Sequence, residues 1–231
     1  MSGAARSHRA ITLCAALLLL LSPSVHDRPA GGSAQDPDAR LIVDKAAKAY
    51  AALKSFRADF RQVIADSMIG TYESQGKLTQ AGPAQLVMRF SDPQDDAIVM
   101  DGEHLWVYTP STTPGQVIRM KVPNDPTYGP NVLAWILTRP ADRYQTRYIR
   151  SDAVAGRGTD VIGLVPLDKS LPFTEATVWL DQYDALPRRL EIRERGGTRR
   201  TLVFSSVEVN RRVSADQFTF TVPGGVRIID Q

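Results

Sequence analysis

The side chains of this chain that could carry covalent or acid–base chemistry are few and scattered. His104 is the only histidine after residue 34, and it follows an Asp101-Gly102 turn signal, where a solvated strand end is expected. Asp95-Asp96 and Asp181/Asp184 sit in turn-like stretches, so they read as turn carboxylates before they read as acid/base pairs. Ser205-Ser206 stand inside a strand-like run without the G-x-S-x-G setting of an activated serine. Metal sites need several His, Cys or clustered carboxylates, and the sequence offers no such spacing. Arg188-Arg189, Arg193, Arg195, Arg199-Arg200 and Arg211-Arg212 form a basic cluster that reads as a solvated face, or as a docking patch for an acidic partner or anionic lipid. No catalytic site residue is expected, and neither a cofactor nor a metal. What remains is the chemistry of burial.

The elements that would organise such burial are strands. Large apolar residues recur at every second position from Phe56 to Tyr108, which is the period of half-buried antiparallel strands. Eleven strand-like runs follow one another, at about 56–65, 71–80, 85–91, 96–101, 104–109, 116–121, 144–150, 160–166, 175–181, 187–195 and 198–209. Gly82-Pro83, Asp101-Gly102, Asp181 to Asp184 and Gly196-Gly197 mark turns between them. A helix is expected from near Pro37, capped by Asp36 or Asp38, with Ile42, Ala46, Ala49, Tyr50 and Leu53 on one stripe. A second helix is expected with Pro130 at its first position, Val132 to Leu137 mostly apolar, and Pro140 ending it. Long sheets curl to protect their edges. The fold class expected is therefore α+β, mostly β: a curled antiparallel sheet with helices over an apolar face.

Arg6, His8 and Arg9 precede the apolar run Ala10 to Leu21, the pattern of an export signal and too short for an ordinary transmembrane helix. Processing is expected after Ser24 or Ala34, which makes 1–34 a signal peptide and linker and 35–231 a single domain. Cys14, the only cysteine, lies in that run, so the processed chain would hold no disulfide. The formal charge is +3, and removing 1–34 leaves 25 basic against 24 acidic residues, +1. That balance argues against nucleic acid as a partner.

The spaced set Phe56-x3-Phe60-x-Gln62, Gly76-x-Leu78, Pro83, Pro93, Asp101-Gly102-x2-Leu105-Trp106-x-Tyr108 and Phe218-x-Phe220-x2-Pro223-x-Gly225-Val226 carries a resemblance. It resembles the periplasmic outer-membrane lipoprotein carrier family (LolA), from about residue 38 to 230. The resemblance implies a half-open β-barrel whose helices cover an apolar cavity. It also implies a monomeric, non-enzymatic periplasmic carrier that takes acylated lipoproteins from an inner-membrane ABC lipoprotein exporter and passes them to an outer-membrane receptor. The acyl-chain-binding residues expected are Phe56, Phe60, Leu78, Leu86, Met88, Phe90, Trp106, Tyr108, Trp135, Ile136 and Leu137. The apolar run Trp135 to Leu137 would form the cover. The family commonly places an Arg at the position of Gly82, where it ties the sheet to the cover. Its absence here predicts a cover held mainly by Trp135, Ile136 and Leu137. The second reading is a lipid-sensing periplasmic regulator on the same fold. The end of the chain at Gln231, just after the Pro223 motif, favours the stand-alone carrier.

Overall fold

The computed structural model describes residues 37–68, 70–122 and 130–231. The expected export signal and Cys14 lie outside these residues. Helix α1 spans Ala39–Ala51. Asp38 caps it, its carboxylate accepting from the Arg40 and Leu41 amides at 2.9 and 3.3 Å. Six strands follow as a meander: β1 Phe56–Asp66, β2 Gly70–Gln80, β3 Gln85–Asp92, β4 Gln94–Asp101, β5 His104–Tyr108 and β6 Gln116–Lys121. Two short helices come next, α2 Val132–Leu137 and α3 Pro140–Arg143. A second meander contains β7 Tyr144–Val154, β8 Arg157–Pro166, β9 Phe173–Asp181, β10 Pro187–Glu194 and β11 Arg199–Val209. A 3₁₀ helix, Ala215–Phe218, and β12, Arg227–Asp230, close the chain.

All twelve strands form one sheet, ordered β12-β6-β5-β4-β3-β2-β1-β11-β10-β9-β8-β7. The sheet is curled and unclosed. The eleven expected strands are present, with ends displaced by a few residues at most. The twelfth is new, and it pairs parallel to β6 while every other pair is antiparallel. Two helix expectations change. Pro130 precedes the cap of α2 instead of opening the helix, and Asn131 is the cap, its Oδ1 accepting from the Ala134 amide at 3.2 Å. Pro140 does not merely end α2; it opens α3, behind Arg139 in a left-handed conformation at φ 47°.

The strand order explains where the helices lie. β6 and β7 lie toward opposite edges of the sheet, so the chain between them must cross the sheet. The helices α2 and α3 stand on that crossing. Their apolar residues face the curled sheet: Val132, Leu133, Ala134, Ile136, Leu137 and Pro140 are all buried. α1 contributes Ala39, Val43 and Ala46 to the same core.

The second meander is pinned by an ion cluster. Asp181, at the end of β9, is 1% exposed and accepts from Nε and, at 3.0 Å, Nη2 of Arg157 on β8. Arg188 on β10, also buried, lies 3.2 Å from the same carboxylate and pairs with Asp184. The amides of Tyr183 and Asp184 complete the shell at 2.9 and 3.2 Å. Burial opposes ionisation of Asp181. The Arg157 hydrogen bond, the two amides and the Arg188 charge outweigh it and bring the carboxyl down to about 2.

A folded-state value below the unfolded one, roughly 3.9, contributes stability that is present above pH 4 and is lost as pH falls through 4 towards 2. Asp181→Asn should therefore destabilise the fold by about 3–5 kcal/mol at pH 7, because two guanidiniums lose their buried partner. It should also flatten the acid limb of stability below pH 4. Urea unfolding at pH 7 and pH 3 measures both, and parallel acid loss in the two proteins would rule out Asp181 as the responsible group.

Candidate functional site

The inner face of the sheet is apolar across both meanders. Phe56, Phe60, Leu78, Leu86 and Met88 lie on it, and all are buried. Met100, Leu105, Leu202, Phe204, Leu190 and Ile192 extend the same surface. Ile136 and Leu137 of α2 close on it from above, fully buried in the same cluster. Phe90 and Trp135 are partly buried against it. Nine of the eleven expected residues therefore belong to one assembly of sheet face and cover.

Local geometry explains several of these positions. Phe60, Gly76 and Phe90 are register partners on β1, β2 and β3. The two rings meet edge to face across the glycine, with centroids 5.1 Å apart. A Cβ on Gly76 would sit 2.1 Å from the Arg89 carbonyl oxygen, so only glycine allows this approach. On the cover, Trp135 stacks on Phe173 at 6.0 Å, and the Tyr144 hydroxyl donates to the Trp135 carbonyl.

Trp106 and Tyr108 do not join this assembly. Alternation along β5 sends Leu105 and Val107 inward, which turns Trp106 outward. Trp106 packs beside Val87, Ala97, Val99 and Phe218 on the outer face and stacks on Phe220 at 5.4 Å. Tyr108 meets the same Phe220 at 5.7 Å. Both rings are covered by the C-terminal segment, on the opposite side of the sheet from α2.

Beside the apolar packing expected to hold the cover, the structure places a polar tie. The Tyr50 hydroxyl of α1 donates to Gln80 Oε1 of β2 at 2.8 Å. Asn131, the cap of α2, donates from Nδ2 to the same hydroxyl at 3.1 Å. Gln80 Nε2 in turn donates to the Gly82 carbonyl at 3.0 Å. Sheet and both cover helices thus meet at one phenol. Burial raises the Tyr50 pKa, against the lowering effect of its Asn131 and Gln80 hydrogen bonds, so the hydroxyl remains a neutral donor. Gln80 and Asn131 are themselves buried. Gly82 adopts φ +67°, a left-handed turn position where an Arg would be strained. The sequence signal for the tie was weak: Tyr50 fits an apolar stripe, and Asn131 merely follows the proline expected to open the helix.

Two of the larger cavities among the described residues lie against the sheet. One, of about 770 Å³, opens between α1, the β2–β3 turn and α2–α3, with Leu53, Pro83, Leu137 and Pro140 among its walls. It borders Tyr50, Gln80 and Asn131, and so touches the tie between sheet and cover. The other, of about 850 Å³, is a groove on the outer face beside Lys77, Arg89, Val203 and Gln217, away from the cover. Among the described residues no three His, Cys, Asp or Glu come together as a metal site would require, and no helix is long and apolar enough to cross a membrane. His104 is partly buried, beside Glu103 at 3.9 Å. Asp96 is a buried loop tie that accepts from the Ser111 amide and hydroxyl at 3.1 and 2.7 Å. Most of the expected basic cluster is consumed internally. Arg188 pairs with Asp181 and Asp184, Arg189 with Glu191, and Arg200 with Glu194, while Arg195 caps carbonyls of the β8–β9 connection.

Comparison with known proteins agrees with this architecture. The chain is 24% identical over 201 residues to an outer-membrane lipoprotein carrier protein of Cupriavidus necator, covering 85% of this chain and 92% of that one. It is 29% identical over 177 residues to an outer-membrane lipoprotein carrier protein of Haemophilus ducreyi, covering 76% and 79%. The fold is shared with a solved uncharacterized conserved protein of Thermus thermophilus, at TM-score 0.54 and 11% identity over 84% of this chain and 99% of that one. The family model described as outer membrane lipoprotein carrier protein LolA matches residues 51–221, well over half the chain, and the chain belongs to that family.

Proposed function

We propose that this protein is a non-enzymatic periplasmic carrier that binds the acyl chains of lipoproteins and delivers them from the inner to the outer membrane. Its supplier would be an inner-membrane lipoprotein exporter and its destination an outer-membrane receptor. Export would be directed by the apolar run Ala10 to Leu21. Family membership supports the carrier role. The observation that carries the reading is an apolar inner face closed by two helices that a single polar cluster ties down.

The energetics favour exchange of cover for cargo. Withdrawing Val132, Leu133, Ile136 and Leu137 from the sheet would cost about 6–12 kcal/mol, at roughly 1.5–3 kcal/mol each. A cargo chain of about sixteen carbons regains a similar amount, at roughly 0.8 kcal/mol per methylene. Binding can therefore replace the helices without a large net change, and release can reverse it. Phe56, Phe60, Leu78, Leu86, Met88 and Phe90 would line the sheet side of the site, with Trp135, Ile136 and Leu137 on the cover. Met88 and Met100 suit an adaptable wall.

Purified protein should bind an acylated lipoprotein and ignore the same protein stripped of its acyl chains. Equal binding of both forms in a pull-down would defeat the proposal. A folded Met88→Asp variant should lose at least tenfold in affinity, because an unpaired charge would stand in the lining.

The closure generates a separate expectation. Tyr50→Phe removes the shared hydroxyl and leaves Gln80 and Asn131 short of a partner, a cost of about 1–3 kcal/mol to the closed form. Fluorescence of a hydrophobic dye should rise in Tyr50→Phe, and also in Trp135→Ala, which loses the stack on Phe173. Dye binding raised by Trp135→Ala but unchanged by Tyr50→Phe would show that packing alone holds the cover.

A further inference from the structure

The cavity between α1, the β2–β3 turn and α2–α3 has a composition that packing of the cover does not require. Ala51, Leu53, Pro83, Ala134, Leu137 and Pro140 supply apolar walls. Lys48 and Arg139, both exposed, line the same space. Neither makes a side-chain hydrogen bond or ion pair with another described residue, although cations elsewhere in the chain are widely paired. The one acidic wall residue, Asp44, lies 4.0 Å from Arg40 one turn earlier on α1. Arg139 is held in a left-handed backbone conformation at φ 47°, between the end of α2 and the proline that opens α3. At about 770 Å³ the space is within the range of cavities that enclose most of a small ligand. Apolar walls under two cations without a partner among the described residues fit a molecule with a hydrocarbon chain and a negative head.

We propose that this cavity binds a single-chain lipid with an anionic phosphate headgroup, its chain against Leu53, Leu137 and Pro83 and its phosphate between Lys48 and Arg139. The site opens beside the covered inner face and shares Leu53 and Leu137 with its packing, while the inner face itself is filled by its own side chains in the closed form. The inference rests on the carrier reading only in that acyl chains are taken to approach this end of the sheet. A lipid bound here would touch Tyr50, Gln80 and Asn131, and would couple arrival of lipid to the tie that holds the cover.

Calorimetric titration of the full processed protein with lysophosphatidylglycerol, lysophosphatidylcholine of equal chain length, and glycerol phosphate tests this, all below micellar concentration. The expected result is a preference of about fivefold for the anionic lipid over the zwitterionic one at low salt, shrinking at high salt. Glycerol phosphate alone should bind too weakly to detect. The double variant Lys48→Gln, Arg139→Asn should abolish the preference; Asn tolerates the left-handed backbone, so folding is preserved. Equal binding of the two lipids, or a preference that survives the double variant, overturns the headgroup assignment. Binding of glycerol phosphate as tight as that of the anionic lipid would overturn the role of the chain and leave a simple anion site. Binding of acylated lipoprotein is measured in parallel. If lipoprotein binds but neither lysolipid does, this inference fails alone. If lysolipid binds with the expected preference but lipoprotein does not, the carrier reading fails alone.

Discussion

The inner face of the sheet is apolar along nearly every strand, and it cannot be left to water. A closed sandwich would solve that problem permanently, by packing a second sheet against the first. Here the cover is instead two helices, one on each side of the first meander in sequence, of 13 and 6 residues. α1 brings mainly Ala39, Val43 and Ala46 to the interface, small side chains with modest burial. α2 brings larger ones but has only six residues, too few to be a stable helix away from the sheet. A cover of this kind depends on the sheet for its structure, and the sheet depends on the cover for protection from water.

That mutual dependence gives the polar cluster at Tyr50 its significance. Neutral hydrogen bonds contribute about 1 kcal/mol each, so the cluster is a small part of the closure compared with the apolar burial of α2. Its value is geometric. One hydroxyl joins α1, β2 and the cap of α2, so the three elements are fastened at a single point. Apolar burial alone lets a helix slide; a shared phenol fixes its register. Gln80 is bonded onward to the Gly82 carbonyl, which places the β2–β3 turn in the same unit. Gly82 therefore sits beside a tie built from Gln80, two positions earlier, and from the cover itself.

The strands were legible because the apolar period of two is strong from Phe56 to Tyr108, and turn signals divide the strand-like runs there and in the second meander. β12 was not, because Arg227-Ile-Ile-Asp is four residues long, has no alternation, and gains its place only by pairing in parallel with β6. The candidate site was legible as a set of residues sharing faces, but not as a choice of face. On β5 both faces are apolar, Leu105 and Val107 on one and Trp106 and Tyr108 on the other, so alternation alone could not decide which turned inward. The decision is made by Phe218 and Phe220, more than a hundred residues later, which cover Trp106 from outside. The tie at Tyr50 was hidden for a related reason. Its three members come from separate elements, and each has an adequate local reading as stripe, strand end or helix start.

The sheet thus carries two covers, one on each face, and they differ in how they are fastened. The outer one is the C-terminal segment. Phe218 is buried against Val87, Ala97 and Val99, and Phe220 stacks on Trp106. Beyond it, β12 is hydrogen-bonded to β6, and Arg119 grips Asp230 with two bonds of 2.6 and 3.0 Å while lying 5.5 Å over the Trp106 ring. This cover is anchored in the sheet ladder, where detachment would expose strand backbone as well as side chains. The inner cover contributes no strand to the ladder, and the polar cluster at Tyr50 joins both of its helices to the sheet. If one face is to open, the inner one separates with less disruption, because leaving it breaks no backbone ladder and its apolar surface can be taken up by a bound chain. The outer cover would then hold β3 to β6 in register while the inner face is exposed.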